Sequence, residues 1–86
     1  MAITLHQAKM LGPNKTLYHV SERNADGTPE RWRVNGAVRT WKRHPDKIYV
    51  PLKYGLYDYD ALTECDLDVF CLTEAEAIAE GERLGI

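Results

Sequence analysis

Arg31-Trp-Arg-Val-Asn-Gly-Ala-Val-Arg-Thr-Trp-Lys-Arg-His-Pro-Asp-Lys-Ile-Tyr-Val-Pro-Leu-Lys53 decides how this chain is read. The stretch holds both tryptophans and seven of the eleven Lys/Arg against Asp46 alone, a net charge of +6. Asn35-Gly36 tolerates positive φ at both residues and predicts a β-hairpin at this point. A two-residue turn would set Trp32 opposite Arg39 and mix apolar with charged groups on both faces. A three-residue loop with a glycine bulge keeps the even-numbered residues together. Trp32 and Val38, with Val34, then point inward, while Arg31, Arg33, Arg39, Trp41 and Arg43 point outward. Slipping by one residue would bury several guanidiniums without partners, at prohibitive desolvation cost. The odd-length loop is therefore the expected register.

Working outward, His44-Pro-Asp-Lys47 connects to a second clean alternation. Ile48, Val50, Leu52 and Tyr54 face inward, and Tyr49, Pro51 and Lys53 outward. Pro51 has no N–H for a ladder, so one side of the strand should be unpaired or bulged there. Upstream, residues 16–22 read as a strand in which Tyr18 and Val20 alternate with Leu17, His19 and Ser21. Asn24-Ala-Asp-Gly27 is the turn that follows it. Downstream, the tyrosine-rich 56–62 fits a strand, a turn or both. Residues 63–66 suggest one helical turn, and 68–72 a short closing strand.

Two helices flank this β core of residues 16–72. The first spans 4–11, opened by Thr4 and Gln7 at capping-box spacing and stopped by Gly12-Pro13. The second, acidic helix spans 73–84, opened by Thr73 and Glu76. Its apolar stripe of Ala75, Ile78, Ala79 and Leu84 is thin, which predicts a weak hold on the sheet. Residues 1–86 make one small domain of mainly β, α+β class. The expected architecture is a twisted antiparallel sheet with a short helix at each end.

Charge is segregated along the chain. Residues 1–30 balance, whereas 54–86 carry nine Asp/Glu against Arg83, a net of −8. A basic middle followed by an acidic tail raises the expectation of a polyanionic or acidic partner. No apolar run approaches the roughly 20 residues that cross a bilayer, and no cationic-then-apolar leader opens the chain. Cys65 and Cys71 fit no disulfide framework and no Cys-x-x-Cys motif, so two reduced thiols in a soluble, cytoplasmic protein are expected.

Five segments taken together resemble a known group. They are Leu17-Tyr18-His19-Val20, residues 24–29, Arg31-Trp-Arg-Val-Asn-Gly36, Thr40-Trp-Lys-Arg43 and residues 50–57. The group is a set of small uncharacterised proteins of tailed phages and prophages, and the likeness spans about residues 4–72. It implies a phage-type origin, a compact β domain with a half-open SH3-like barrel as the second expected architecture, and work in the host cytoplasm. It carries no catalytic or binding residues with it.

The residues offer little for catalysis. Neither cysteine has a local signal of an activated thiolate. The five Cys/His positions match no zinc spacing, and no glycine loop cradles a phosphate. An enzyme, a metal, a cofactor and a small-molecule substrate are therefore not expected. What remains is the cationic, aromatic-bearing stretch: Arg31, Arg33, Arg39, Trp41, Lys42, Arg43, Tyr49 and Lys53. Arginines on one strand face neutralise phosphates, and an exposed indole or phenol stacks an unpaired base. Outward arginines also guard edge strands against aggregation, so the pattern has a purely structural explanation too. Nucleic acid is the leading partner class. A protein bound through the sheet edge and exposed aromatics, including a virion or assembly component, is the alternative.

Overall fold

The computed structural model describes residues 2–86. Six strands form one antiparallel sheet: β1 (Thr16–Arg23), β2 (Pro29–Val34), β3 (Arg39–Thr40), β4 (Ile48–Tyr54), β5 (Asp58–Thr63) and β6 (Phe70–Cys71). Helix α1 (Leu5–Lys9) precedes them and α2 (Glu74–Arg83) follows. Of the two architectures expected, this is the open sheet. It does not close into a barrel, because β5 and β6 pair with different neighbours and stand at opposite ends.

β4 organises the sheet, and three strands use its two edges. β5 takes one edge from Tyr49↔Thr63 to Tyr54↔Asp58. β2 and β3 therefore share the other edge. β2 pairs at Arg33↔Lys53 and Val34↔Leu52, and β3 at Arg39↔Tyr49 and Thr40↔Ile48. Both run antiparallel to β4, so they are halves of a single interrupted strand. The hairpin expected at Asn35-Gly36 is not formed. Between Val34 and Arg39 this strand advances five residues while β4 advances three, from Leu52 to Tyr49, so two residues are looped out.

The interruption faces Pro51, which has no N–H to donate. The Pro51 carbonyl still accepts from the Asn35 N–H at 2.7 Å. Gly36 takes φ +138°, and a Cβ there would meet Pro51 Cγ at 3.4 Å. The bulge expected from Pro51 thus exists, on the neighbouring strand where Asn35-Gly36 suggests a hairpin. Because the excess is two residues, side-chain alternation survives it. Val34 is buried, Trp32 and Val38 are half-buried, and Arg31, Arg33, Arg39, Trp41 and Arg43 are exposed, as the parity argument required. The true hairpin joins β3 to β4 through 41–47, where the Trp41 N–H reaches the Lys47 carbonyl.

A second irregularity lies in β1. Its register with β2 shifts between Tyr18 and Arg23, leaving backbone donors without ladder partners. His19 Nδ1 accepts from the Ser21 and Glu22 N–H groups at 3.2 and 3.0 Å, while Arg23 donates to the His19 carbonyl at 3.0 Å. The bulge is therefore held by its own side chains.

The main core lies on one sheet face. Leu17, Val34, Val50, Leu52, Leu62 and Phe70 are buried there, covered by Ile3, Ala8 and Leu11 of the N-terminal segment. Each fully buried leucine contributes roughly 1.5–3 kcal/mol. Thr4 and Gln7 close the capping box of α1, and the Ile3 N–H donates to the Phe70 carbonyl at 2.8 Å. The region 55–66 resolves into both candidates. Gly55, at φ +64°, opens a tight turn, β5 follows, and a 3-10 segment (Glu64–Val69) leads to β6. The closing strand is reduced to Phe70–Cys71.

α2 packs on the opposite face, where Tyr18, Val20 and Cys71 meet Ala77. Its contact side is Ala77, Glu80 and Gly81, not the expected stripe. Ala75 and Ala79 are exposed, as are Ile78 and Leu84. The reason is close approach. A Cβ on Gly81 would stand 3.0 Å from the Val20 carbonyl oxygen and 2.6 Å from Arg23 Nη2. Small residues let the helix lie on the strand, and the bulky ones are left outside. With Ala77, Val20 and Cys71 all buried, α2 is part of the fold and not a loosely held tail.

Candidate nucleic-acid interface

Strand pairing assembles the outer face of the sheet. Arg33 lies opposite Lys53, which lies opposite Tyr59, and Arg39 lies opposite Tyr49. Directly opposed residues of antiparallel strands share a face, so these side chains stand together although sequence separates them. Arg31 lies two residues before Arg33 on the same face, opposite Tyr18. α2 covers the Tyr18–Cys71 end of this face, reaches the start of β2 beside Arg31, and leaves the β4–β5 part open.

Two groupings result. Arg31, Arg33 and Lys53, with Gly55 and Leu56, line an open cleft of about 390 Å³. The Lys53 ammonium also stands 5.4 Å from the Tyr59 ring centre. Farther along β4, Trp41 packs on Tyr49 with ring centres 4.6 Å apart and planes tilted by 40°. Trp41 remains 42% exposed and also lines a cleft with Lys47, Ile48, Thr63, Glu64 and Cys65. Lys42 and Arg43 are exposed in the 41–47 loop and belong to neither grouping.

The electrostatics are uneven. Among the described residues, none of Arg31, Arg33, Arg39, Lys42, Arg43 or Lys53 forms a salt bridge within 4.0 Å. Arg31 is nonetheless flanked by acids, sharing a smaller cleft with Asp26 and Glu74. The Thr28 hydroxyl and backbone N–H hold the Asp26 carboxyl below its usual range, with a lesser effect from Arg31. Arg33, Arg39 and Lys53 are the less compensated cations. Glu80, by contrast, is bound by Arg83 on its own helix, and that hydrogen bond lowers its pKa.

Tyr59, Gly55 and Leu56 are members of this site that the sequence did not single out. Only the β4–β5 register brings Tyr59 against Lys53; the alternation of Tyr57 and Tyr59 after a glycine turn was the available signal. Elsewhere, burial pushes the Cys71 thiol above its ordinary value, away from nucleophilic use, whereas Cys65 is exposed. Among the described residues no three His, Cys, Asp or Glu side chains gather to hold a metal ion. No helix among them is long and apolar enough to cross a membrane.

The chain matches no protein-family model, no curated protein and no solved structure.

Proposed function

We propose that this chain is a non-catalytic binding protein that holds nucleic acid on the open part of its outer sheet face. The observation carrying this reading is that Arg33, Arg39 and Lys53, without salt-bridge partners among the described residues, share one face with the Trp41–Tyr49 pair. Uncompensated cations release phosphate counterions on binding, and the aromatic pair adds an apolar surface beside them. A tailed-phage or prophage origin, with work in the host cytoplasm, belongs to the same reading and rests on the resemblance of about residues 4–72. Titration with mixed-sequence DNA and RNA at low salt tests it. Binding should appear at or below about 100 μM, the weak end of non-specific affinity. Arg33→Ala combined with Lys53→Ala should weaken it and flatten its dependence on salt. No binding in that range sinks the proposal.

One observation favours a protein partner as the second reading. β5 pairs only with β4 among the described residues, so its other edge is open, with Leu56, Tyr57 and Tyr59 exposed beside it. A partner strand could add there. Asp58 and Asp60 on that edge oppose casual pairing, so such a partner would need matching cations.

A further inference from the structure

We infer that the outer face is built for a single strand with unpaired bases, reading it as two subsites in line: a phosphate cleft at Arg31, Arg33 and Lys53 and a base platform at Trp41. This rests on the nucleic-acid reading above and makes it more specific.

Spacing supports the two-subsite arrangement. The register places Arg33 beside Lys53 and the aromatic pair at Tyr49, four residues farther along β4. At about 3.3 Å per residue, the two subsites are about 13 Å apart. Arg31 lies two residues beyond Arg33 along β2, so the track from Arg31 to the level of the Trp41–Tyr49 pair at Tyr49 is about 20 Å long. A strand rising about 3.4 Å per nucleotide would cover it with about six nucleotides, and a more extended strand with fewer.

The arrangement is one strand wide. Its cations follow β2, β3 and β4, while α2 stands on the same face with Glu74 beside Arg31. A duplex carries one negative charge per about 1.7 Å, and its second backbone would lie toward those carboxylates. In a duplex the bases are already stacked on one another, leaving the exposed side of Trp41 nothing to take. An unpaired base would stack on the exposed part of Trp41, which packs on Tyr49 at a 40° tilt. Base specificity is not built in, because any base offers a π face.

The test uses the full chain and end-labelled oligonucleotides read by fluorescence anisotropy. Affinity for oligo-dT should rise with length and level off near about six nucleotides. Duplex of equal length should bind more weakly. Trp41→Ala should weaken oligo-dT binding roughly fivefold to more than 100-fold, the range for losing one stacked base. A strand of equal charge with abasic sites should lose a similar factor against the native protein, and Trp41→Ala should cost little further with that strand. Arg33→Ala should weaken native and abasic strands alike and reduce the salt slope by about 0.7. Equal affinity for single strand and duplex, or a Trp41→Ala variant that binds oligo-dT normally, would overturn the single-strand inference while leaving nucleic-acid binding intact. Absence of binding to every probe would remove both.

Discussion

His19 shows how one side chain stabilises an irregular backbone and at what chemical condition. Its Nδ1 must be unprotonated to accept from the Ser21 and Glu22 N–H groups. Its ring also meets Phe70 edge-on at 5.1 Å. Burial lowers its pKa below 6.5, aided by Arg23 and opposed by the carboxylates of Glu22, Glu30 and Asp60. The unfolded chain therefore binds this proton at a higher pH than the native one, and stability rises with pH through that interval. The contribution is complete above about pH 6.5 and is lost as the pH falls toward the lowered native pKa. Urea midpoints measured between about pH 7.5 and 5.5 should fall on acidification. His19→Asn, which keeps an acceptor but no titrating ring, should flatten that part of the profile. An unchanged slope would mean that His19 does not titrate between the two states.

At the scale of elements, Gly81 decides how α2 is seated. Replacing a helical glycine by alanine ordinarily gains about 1 kcal/mol. Here the new Cβ would press on the Val20 carbonyl and displace Arg23, which bonds to His19. Gly81→Ala should instead forfeit that gain, a lost hydrogen bond of about 1 kcal/mol leaving stability nearly unchanged, as measured by chemical denaturation. A stabilised variant would show that the helix can lift away at no cost. This contact also marks the limit of what the sequence disclosed. Periodicity located both helices, the caps at Thr4 and Thr73, and the inward and outward sets on either side of Pro51. It could not tell that α2 turns its small side inward, because a hydrophobic stripe favours Ile78 and Leu84 whereas contact distance favours Ala77 and Gly81. Nor could Asn35-Gly36 reveal its role, since a dipeptide permissive for positive φ suits a bulge as well as a hairpin. The expected faces emerged because a three-residue loop and a two-residue excess preserve the same alternation. The cations and Trp41 were legible from that alternation, while Tyr59 required the pairing partner of Lys53.

Across the whole molecule, the interrupted β2–β3 strand changes the order in which contacts can form. From Thr16 to Thr63 each segment pairs with its neighbour in sequence, across connections at 24–28, 41–47 and 55–57. The distant closure is β1 with β6, where Tyr18 meets Cys71. Short loops cost less entropy to close than long ones, and nearby contacts form sooner. The meander is thus the expected folding nucleus, with β6 and α2 expected to join after the rate-limiting step. Val50→Ala in β4 should slow refolding, whereas Ala77→Gly in α2 should chiefly speed unfolding, a contrast that stopped-flow kinetics resolves. Slower refolding with Ala77→Gly would place α2 in the nucleus. An interruption that looks like a break in the sheet is thereby what keeps its assembly local.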